Sequence, residues 1–411
     1  MIRIRYKMNR DEYPKHEHST PLIAIFLEIF TFSLFLCNFA PAMAERIDIR
    51  ANMLEWAITR AGYSLARYRE ENEKVAAWID GEKKPTLKQL EEFASKLHVP
   101  FGFLFLDTPP IEQSPIPFFR GEANNGKLDL NTYDTILTLQ RRQEWLSNYL
   151  ADNDFGRCDF VGSLHGCNAV NRIVDKIRTL LKLEKTWAFA FQRNEQAVNK
   201  ITEILEELGV VVEFNGVVGN NTHRPINVAE CRGFSLVDEV APFIFVNSAD
   251  SKTAQLFTLI HEFAHLLLGV SSGYGGEDGI NDDDIEKLCD KVAANFLVPE
   301  DTLRANWTTI EKTAKKFKVS GLVIARRAKE LRLITSQRFQ DYYTEYLATP
   351  IGDNFRRSGG GDFHLVAKKR IGYTFAVHVN NAVRGNKLSQ VEAYRLTGLY
   401  GNTYSSFMSK L

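Results

Sequence analysis

Cysteine is scarce in this 411-residue chain. There are five, Cys37, Cys158, Cys167, Cys231 and Cys289, an odd and scattered set. None stands in a Cys-x-x-Cys pair, which excludes a disulfide framework and a thiolate zinc site. Cys158 and Cys167 flank His165, yet free thiols are the simpler reading, and the usage is that of a reduced, cytoplasmic protein. Net charge is also missing, because 51 Lys and Arg balance 51 Asp and Glu. The molecule as a whole is therefore not an electrostatic nucleic-acid binder, and any such role has to sit in a local patch. Hydrophobic content of 44 % and charged content of 25 % are ordinary for a globular protein, and the length allows two or three domains.

The N-terminus disagrees with a cytoplasmic location. Basic residues in 1–20, an apolar run from Leu22 to Phe39 and Ala42-Met-Ala44 have the layout of a secretory signal or a short membrane anchor. Asp11, Glu12, Glu17 and Glu28 fit that layout badly, and Met43 opens a sequence that flows into a helical domain. We read residues 1–42 as an extension upstream of the true start and outside the fold. If they are a genuine signal, the protein is exported or anchored instead.

The most informative stretch is Leu256-Phe-Thr-Leu-Ile-His-Glu-Phe-Ala-His-Leu-Leu-Leu268. Only Thr258, His261, Glu262 and His265 are polar in it. Density of this kind, stopped by Gly269, predicts a buried helix. Two imidazoles and a carboxylate inside such a helix are costly unless something satisfies them. His261 and His265 stand four apart and share one helix face, the spacing of two nitrogen ligands on one zinc ion. Glu262 follows the first ligand, where it reaches a water at the metal rather than the metal itself. The bland alternative is a pair of hydrogen-bonded core histidines.

A second helix is expected over Ile285–Leu297, with a continuous apolar stripe and Pro299 just past its end. Glu286 and Asp290 lie at the edge of that stripe. Glu286 is taken as the third ligand, giving a His2Glu zinc site, and Asp290 as the acceptor for the other nitrogen of a ligating histidine. Alternatively both are solvated flank charges. Glu277, Asp278, Asp283 and His223 are weaker candidates for the third ligand. In such a site Glu262 is the general base, and His223, Arg232 and Tyr274 are candidates for stabilising an oxyanion.

Upstream, residues 43–110 read as five short helices. Ser64-Leu-Ala, Val75-Ala-Ala-Trp-Ile-Asp-Gly-Glu-Lys-Lys-Pro-Thr86 and Leu90-x-x-Phe-Ala-x-x-Leu-x-Val99 resemble an Xre-type helix-turn-helix. Ten Lys and Arg against eleven Asp and Glu make this module a poor DNA binder on charge. Lys74, Lys83 and Lys84 are its candidate contacts, either to DNA or to a protein, a homodimer partner included. Asp107 to Pro117 holds four prolines and marks a linker, set at 111–125, and 126–305 is read as an α+β domain of helices, a small sheet and the two expected metal helices. The strand Phe243–Val246 is expected to offer an edge for an extended peptide. Residues 306–347 look like a second helix-turn-helix. Within them 310–338 carry nine Lys and Arg against two Glu, with Arg326, Arg327 and Lys329 as candidate phosphate or partner contacts. Packing plus partner docking is preferred there over DNA contact. Residues 348–411 form a C-terminal helical region, in which 362–411 read as two or three helices with Lys368, Lys369 and Arg370 exposed.

Phe257-Thr-Leu-Ile-His-Glu-Phe-Ala-His-Leu-Leu-Leu268, followed by Glu286-x-x-Cys-Asp-x-Val-Ala-Ala-x-Phe-Leu-Val-Pro299, resembles the ImmA/IrrE family of metallo-endopeptidases. The resemblance covers roughly residues 46 to 345. The family pattern has Ala-Asn where this chain has Cys289-Asp290, which bears on Asp290 rather than on Glu286. The resemblance implies a mostly helical α+β protein, an N-terminal helix-turn-helix domain before a zincin-like domain. It also implies zinc-dependent cleavage of a repressor in stress response or mobile-element regulation. The rival reading is a non-enzymatic transcription regulator or antitoxin-like binder that keeps the zincin fold as a scaffold. Glu262 argues against it, because a purely structural site has no use for a base.

Overall fold

Residues 46–110, 129–271, 282–348 and 362–411 are described by the structure, a computed structural model. The extension 1–42, the linker 111–125 and the candidates Tyr274, Glu277 and Asp278 lie outside the described residues. The chain forms two units, divided after Glu112. Most of it is helical, with a small sheet, an α+β composition.

In the first unit, helices α1 (Ala51–Arg60), α2 (Leu65–Glu71), α3 (Glu73–Ile79) and α4 (Leu87–Lys96) precede a 3-10 turn at Phe101–Phe105. Their inner faces meet in one core around Leu54, Ile58, Trp78, Leu90 and Phe93. A single residue, Asn72, separates α2 from α3. Its backbone leaves the helical region (φ −135°, ψ 70°) and its side-chain amide donates to the Tyr68 carbonyl at 2.9 Å, ending one helix as it starts the next. Thr86 opens α4 with a reciprocal cap to Gln89.

In the second unit, α5 (Leu130–Ala151), α6 (Val170–Leu181) and α7 (Asn194–Glu207) lead into strands β1 (Val211–Asn215), β2 (Val217–Val218), β3 (Asn221–Pro225), β4 (Gly233–Leu236) and β5 (Phe243–Asn247). The three-stranded sheet runs β1-β5-β4, with β5 central, parallel to β1 and antiparallel to β4. The peptide-binding edge expected at Phe243–Val246 is therefore corrected. That strand is paired on both sides, and the strands at the edges are β1 and β4, of which β4 is the one beside Thr258 at Gly233. β2 and β3 form a separate small hairpin.

Alternation along the strands sorts the side chains into two layers. Val212, Phe214, Ile244 and Val246 join one core with α6, α7, α8 (Lys252–Leu268) and α9 (Asp282–Leu297). Val211, Phe243, Phe245, Phe234 and Leu236 join a second core with α5 and the C-terminal helices. Burial on both faces is what a parallel pair requires, and β1 and β5 are buried at every position. After α10 (Glu300–Asn306), the stretch 306–347 expected to resemble a helix-turn-helix forms α11 (Ile310–Phe317), α12 (Gly321–Glu330) and α13 (Ser336–Ala348). Its Ile310, Phe317 and Ile324 belong to the same core as the metal helices, so it shares their interior.

Residues 362–411 hold four helices where two or three were expected: α14 (Phe363–Ile371), α15 (Tyr373–Arg384), α16 (Gln390–Thr397) and α17 (Gly401–Met408). Gly372, at φ +79°, breaks α14 from α15, and a Cβ there would stand 2.9 Å from Val211 Cγ1. This layer is pinned by a buried ion pair. Arg142 of α5 meets Glu213 of β1 at 2.6 Å and donates to the Leu396 carbonyl at 2.8 Å. Among the described residues no helix is long and apolar enough to cross a membrane.

Candidate metal centre

Helix α8 starts where Ser251 accepts from the Ala254 amide and stops at Gly269, whose φ of +69° suits glycine. Every residue from Leu259 to Leu268 is buried. The apolar ones contribute about 1.5–3 kcal/mol each by leaving water, enough to carry a few polar residues inside. The carbonyls at its C-terminal end are not left unpaired. Leu266 and Leu267 accept from the amides of Gly162 and Leu164, and the Leu268 carbonyl lies 3.2 Å from Nδ1 of His165. This contact accounts for His165. Cys158 and Cys167 remain free thiols and, among the described residues, join no metal-binding group. Burial pushes the Cys158 thiol up to about 11, further from a metal-binding thiolate.

Helix α9 packs along α8 with Cys289, Val292, Ala293 and Phe296 fully buried, and this sets the height of Glu286. The expected triad is brought together. Nε2 of His261 and Nε2 of His265 lie 3.1 Å apart, and each is 3.0–3.1 Å from a carboxylate oxygen of Glu286. On the far side of the first imidazole, Nδ1 of His261 lies 3.0 Å from Oδ1 of Asp290. Asp290 thus lies behind the His261 ring, within ion-pair distance of Nδ1. Nδ1 of His265 has no hydrogen-bond partner among the described residues.

These atoms fit a metal ion. Two imidazoles supply at most two Nε2 protons, and here both nitrogens and the carboxylate face one another at a common point. Hydrogen bonds alone satisfy such a point poorly, whereas a cation satisfies all three at once. Donor atoms on a tetrahedral zinc with bonds of about 2.0–2.1 Å stand roughly 3.3–3.4 Å apart, a few tenths of an ångström wider than here. The charges agree. Burial pulls the His261 imidazole down, yet Asp290 and Glu286 outweigh it and raise it to about 10. Burial would lift the Glu286 carboxyl, but His261 and His265 hold it well below the usual carboxylate range. The carboxylates around His261 thus favour positive charge at this point, which a metal cation would supply.

Glu262 is buried at 4 % exposure on the turn that carries the ligands. Opposite it lies Gly233, the first residue of β4. A Cβ built there would fall 2.4 Å from Thr258 Cγ2, 2.7 Å from the Phe245 carbonyl oxygen and 3.6 Å from Glu262 Oε1. Strand β4 thus lies against Glu262 only because position 233 has no side chain. Sequence reading placed a strand start at Gly233 but missed this role. The signal available was a glycine opening a strand otherwise rich in large residues.

The other candidates are dispersed. His223 is exposed on β3, in the separate hairpin. Arg232 is half-exposed immediately before Gly233, with Nε 3.8 Å from Asp250 Oδ2. Asp283 lies in the first turn of α9. Lys74, Lys83, Lys84, Arg326 and Lys329 are exposed, although Lys84 meets Asp48 at 3.0 Å and Lys329 lies over the Phe339 ring. Arg327 is a correction. It is buried at 3 % exposure, donating to the Val298 carbonyl just past α9 and to Glu330 at 2.6 Å. A guanidinium there satisfies the carbonyls at a helix end and is spent on the fold. Lys318 is likewise buried and donates to the Lys315 carbonyl, so the local positive charge is smaller at the surface than in the sequence.

Residues 205–329 match the family model Peptidase_M78, the IrrE N-terminal-like domain. The match runs from the end of α7 to α12 and includes His261, Glu262, His265, Glu286 and Asp290. No curated protein matches the chain. Residues 205–329 are thus similar to the IrrE N-terminal-like domain of the M78 peptidases, and they contain the His261, His265 and Glu286 cluster, its two histidines buried and Glu286 partly so.

Proposed function

We propose that this protein is a zinc-dependent endopeptidase that cleaves a repressor and so regulates transcription. The observation that carries the reading is the placement of Glu262. A carboxylate lies buried beside a three-ligand cluster and faces the edge strand β4 across Gly233. A scaffold-only site needs the ligands but not this acid, which is why the non-enzymatic alternative is the weaker reading.

His261, His265 and Glu286 would hold the zinc ion, and Asp290 would keep the His261 ring oriented through Nδ1. When bound, zinc polarises a scissile carbonyl and makes a neighbouring water acidic enough to lose a proton near neutral pH. Glu262 accepts that proton at a carboxylate oxygen and hands it to the departing amine. The backbone of β4 offers an extended substrate main-chain partners, with Gly233 letting the strand approach the base. Arg232, next along the chain, is the described candidate for stabilising negative charge on the attacked carbonyl. We place the protein in the cytoplasm, a reading favoured by its few scattered cysteines and by a repressor as substrate.

The test is incubation of the purified protein with repressors encoded beside it, with and without a chelator. Cleavage that stops on chelation and in Glu262→Gln supports the reading. Full biological activity in Glu262→Gln overturns it in favour of the scaffold.

A further inference from the structure

Asn247, the last residue of β5, is completely buried although its side chain is an amide. Both ends of that amide are engaged. Nδ2 donates to the Ile226 carbonyl at 3.1 Å and to the Cys231 carbonyl at 2.9 Å, and Oδ1 accepts from the Ala249 amide at 3.0 Å. The backbone of Asn247 donates to the Arg232 carbonyl at 2.8 Å and accepts from the Asp250 amide at 3.2 Å. One residue therefore holds both ends of the loop 226–232 and the turn that leads into α8.

Both held pieces continue to the metal centre. The loop runs into Gly233, where β4 comes close to Glu262, and the register of β4 on β5 ends at the pair Gly233–Val246. Ahead of that pair, Asn247 fixes the chain to β5. On the other side, Ala249 lies two residues before Ser251, which caps the helix that carries Glu262. The base and the strand facing it thus share one anchor. The residue type matters. Asp has no donors for the two carbonyls, Leu has neither donor nor acceptor, and Gln is a methylene longer. A buried carbonyl left without a donor is costly, so the loop would shift rather than leave two of them bare.

We propose that Asn247 is a positioning residue, which holds Arg232 and Gly233 in place against Glu262 through the loop 226–232. Its effect on catalysis rests on the peptidase reading above, whereas its hold on the loop does not.

The full-length parent chain, Asn247→Ser and Asn247→Asp are compared by hydrogen-exchange mass spectrometry, metal analysis and the repressor cleavage assay. Ser is too short to span the two carbonyls. Asp keeps the length and the acceptor for Ala249 but loses both donors, so the two variants share only the freed loop. Should one fail to fold, the other carries the test. Exchange across 226–236 should quicken by about tenfold in both, while 258–268 stays as slow as in the parent chain. Metal content should be unchanged, and cleavage should fall by about tenfold. Equal acceleration of 258–268 and 226–236 would assign Asn247 to general stability and overturn the proposal. Unchanged exchange at 226–236, or a normal cleavage rate beside a freed loop, would overturn it as well. A parent chain that cleaves no repressor refutes the peptidase reading instead, and the exchange result still decides whether Asn247 holds the loop.

Discussion

Replacing Gly233 by Ala tests whether the edge strand is seated against the base by the absence of a side chain. The added Cβ would lie 2.4 Å from Thr258 Cγ2 and 2.7 Å from the Phe245 carbonyl oxygen. Carbon contacts are comfortable at roughly 3.5–4.0 Å, so β4 has to retreat from α8 by about 1 Å. Overpacking of this size costs about 1–3 kcal/mol, which corresponds to a fall in melting temperature of roughly 5 °C. A misplacement of that size at a reacting group slows the chemistry by about 100-fold. The metal ligands sit on α8 and α9 and are untouched, so metal content should stay at the wild-type level. The assays are a thermal melt, metal analysis and cleavage of a repressor substrate. Thr258→Ser in the same background removes the nearer clash and should recover part of both losses, with the Phe245 carbonyl preventing full recovery. A Gly233→Ala protein with wild-type melting and rate would refute the reasoning. Lost stability with an unchanged rate would refute the link from strand to base.

Three other outcomes follow. Glu262→Gln should retain metal while cleavage falls by about 10²–10⁴-fold, checked by metal analysis beside the substrate assay. Asp290→Ala should weaken metal binding by about 10–100-fold in a chelator titration, because the His261 ring loses its orienting acceptor. Arg142→Leu should cost about 3–5 kcal/mol at pH 8 by leaving Glu213 charged and unpaired. Burial raises the Glu213 carboxyl to about 7 even though Arg142 pulls it down. A raised folded value means that the folded chain holds the proton more tightly. The group's contribution is therefore present below about 4.5 and is lost as pH climbs through about 7. Without Arg142 that dependence should steepen, and melts at pH 5 and pH 8 should show a much smaller defect in acid.

What could be read without coordinates was what neighbouring residues encode. Apolar density from Leu256 to Leu268, the four-residue spacing of His261 and His265, and Gly269 as a stop are all local, and each corresponds to a feature of α8. The stripe from Ile285 to Leu297 similarly set the height of Glu286 and Asp290. Long-range pairing was not legible. β4 and β5 are similar short apolar strands, and nothing in either reveals that β5 takes the centre between β1 and β4 and leaves both of those at the edges. The hairpin strand Asn221–Pro225 is mostly exposed and polar, so it carries no alternation to find. The fate of individual charges was equally hidden. Arg326 and Arg327 are neighbours of one type, yet one faces solvent and the other closes a helix end. The C-terminal residues looked chemically empty because their work is packing. Phe375, Tyr404 and Phe407 complete the core on the face of the sheet opposite the metal helices.

The central claim is that His261, His265 and Glu286 jointly bind one transition-metal ion. Elemental analysis of the purified full-length chain, beside His265→Ala prepared identically, tests it most directly. The account predicts one zinc per wild-type chain and essentially none in the variant; a metal-free wild-type chain, or equal metal in both, would contradict it.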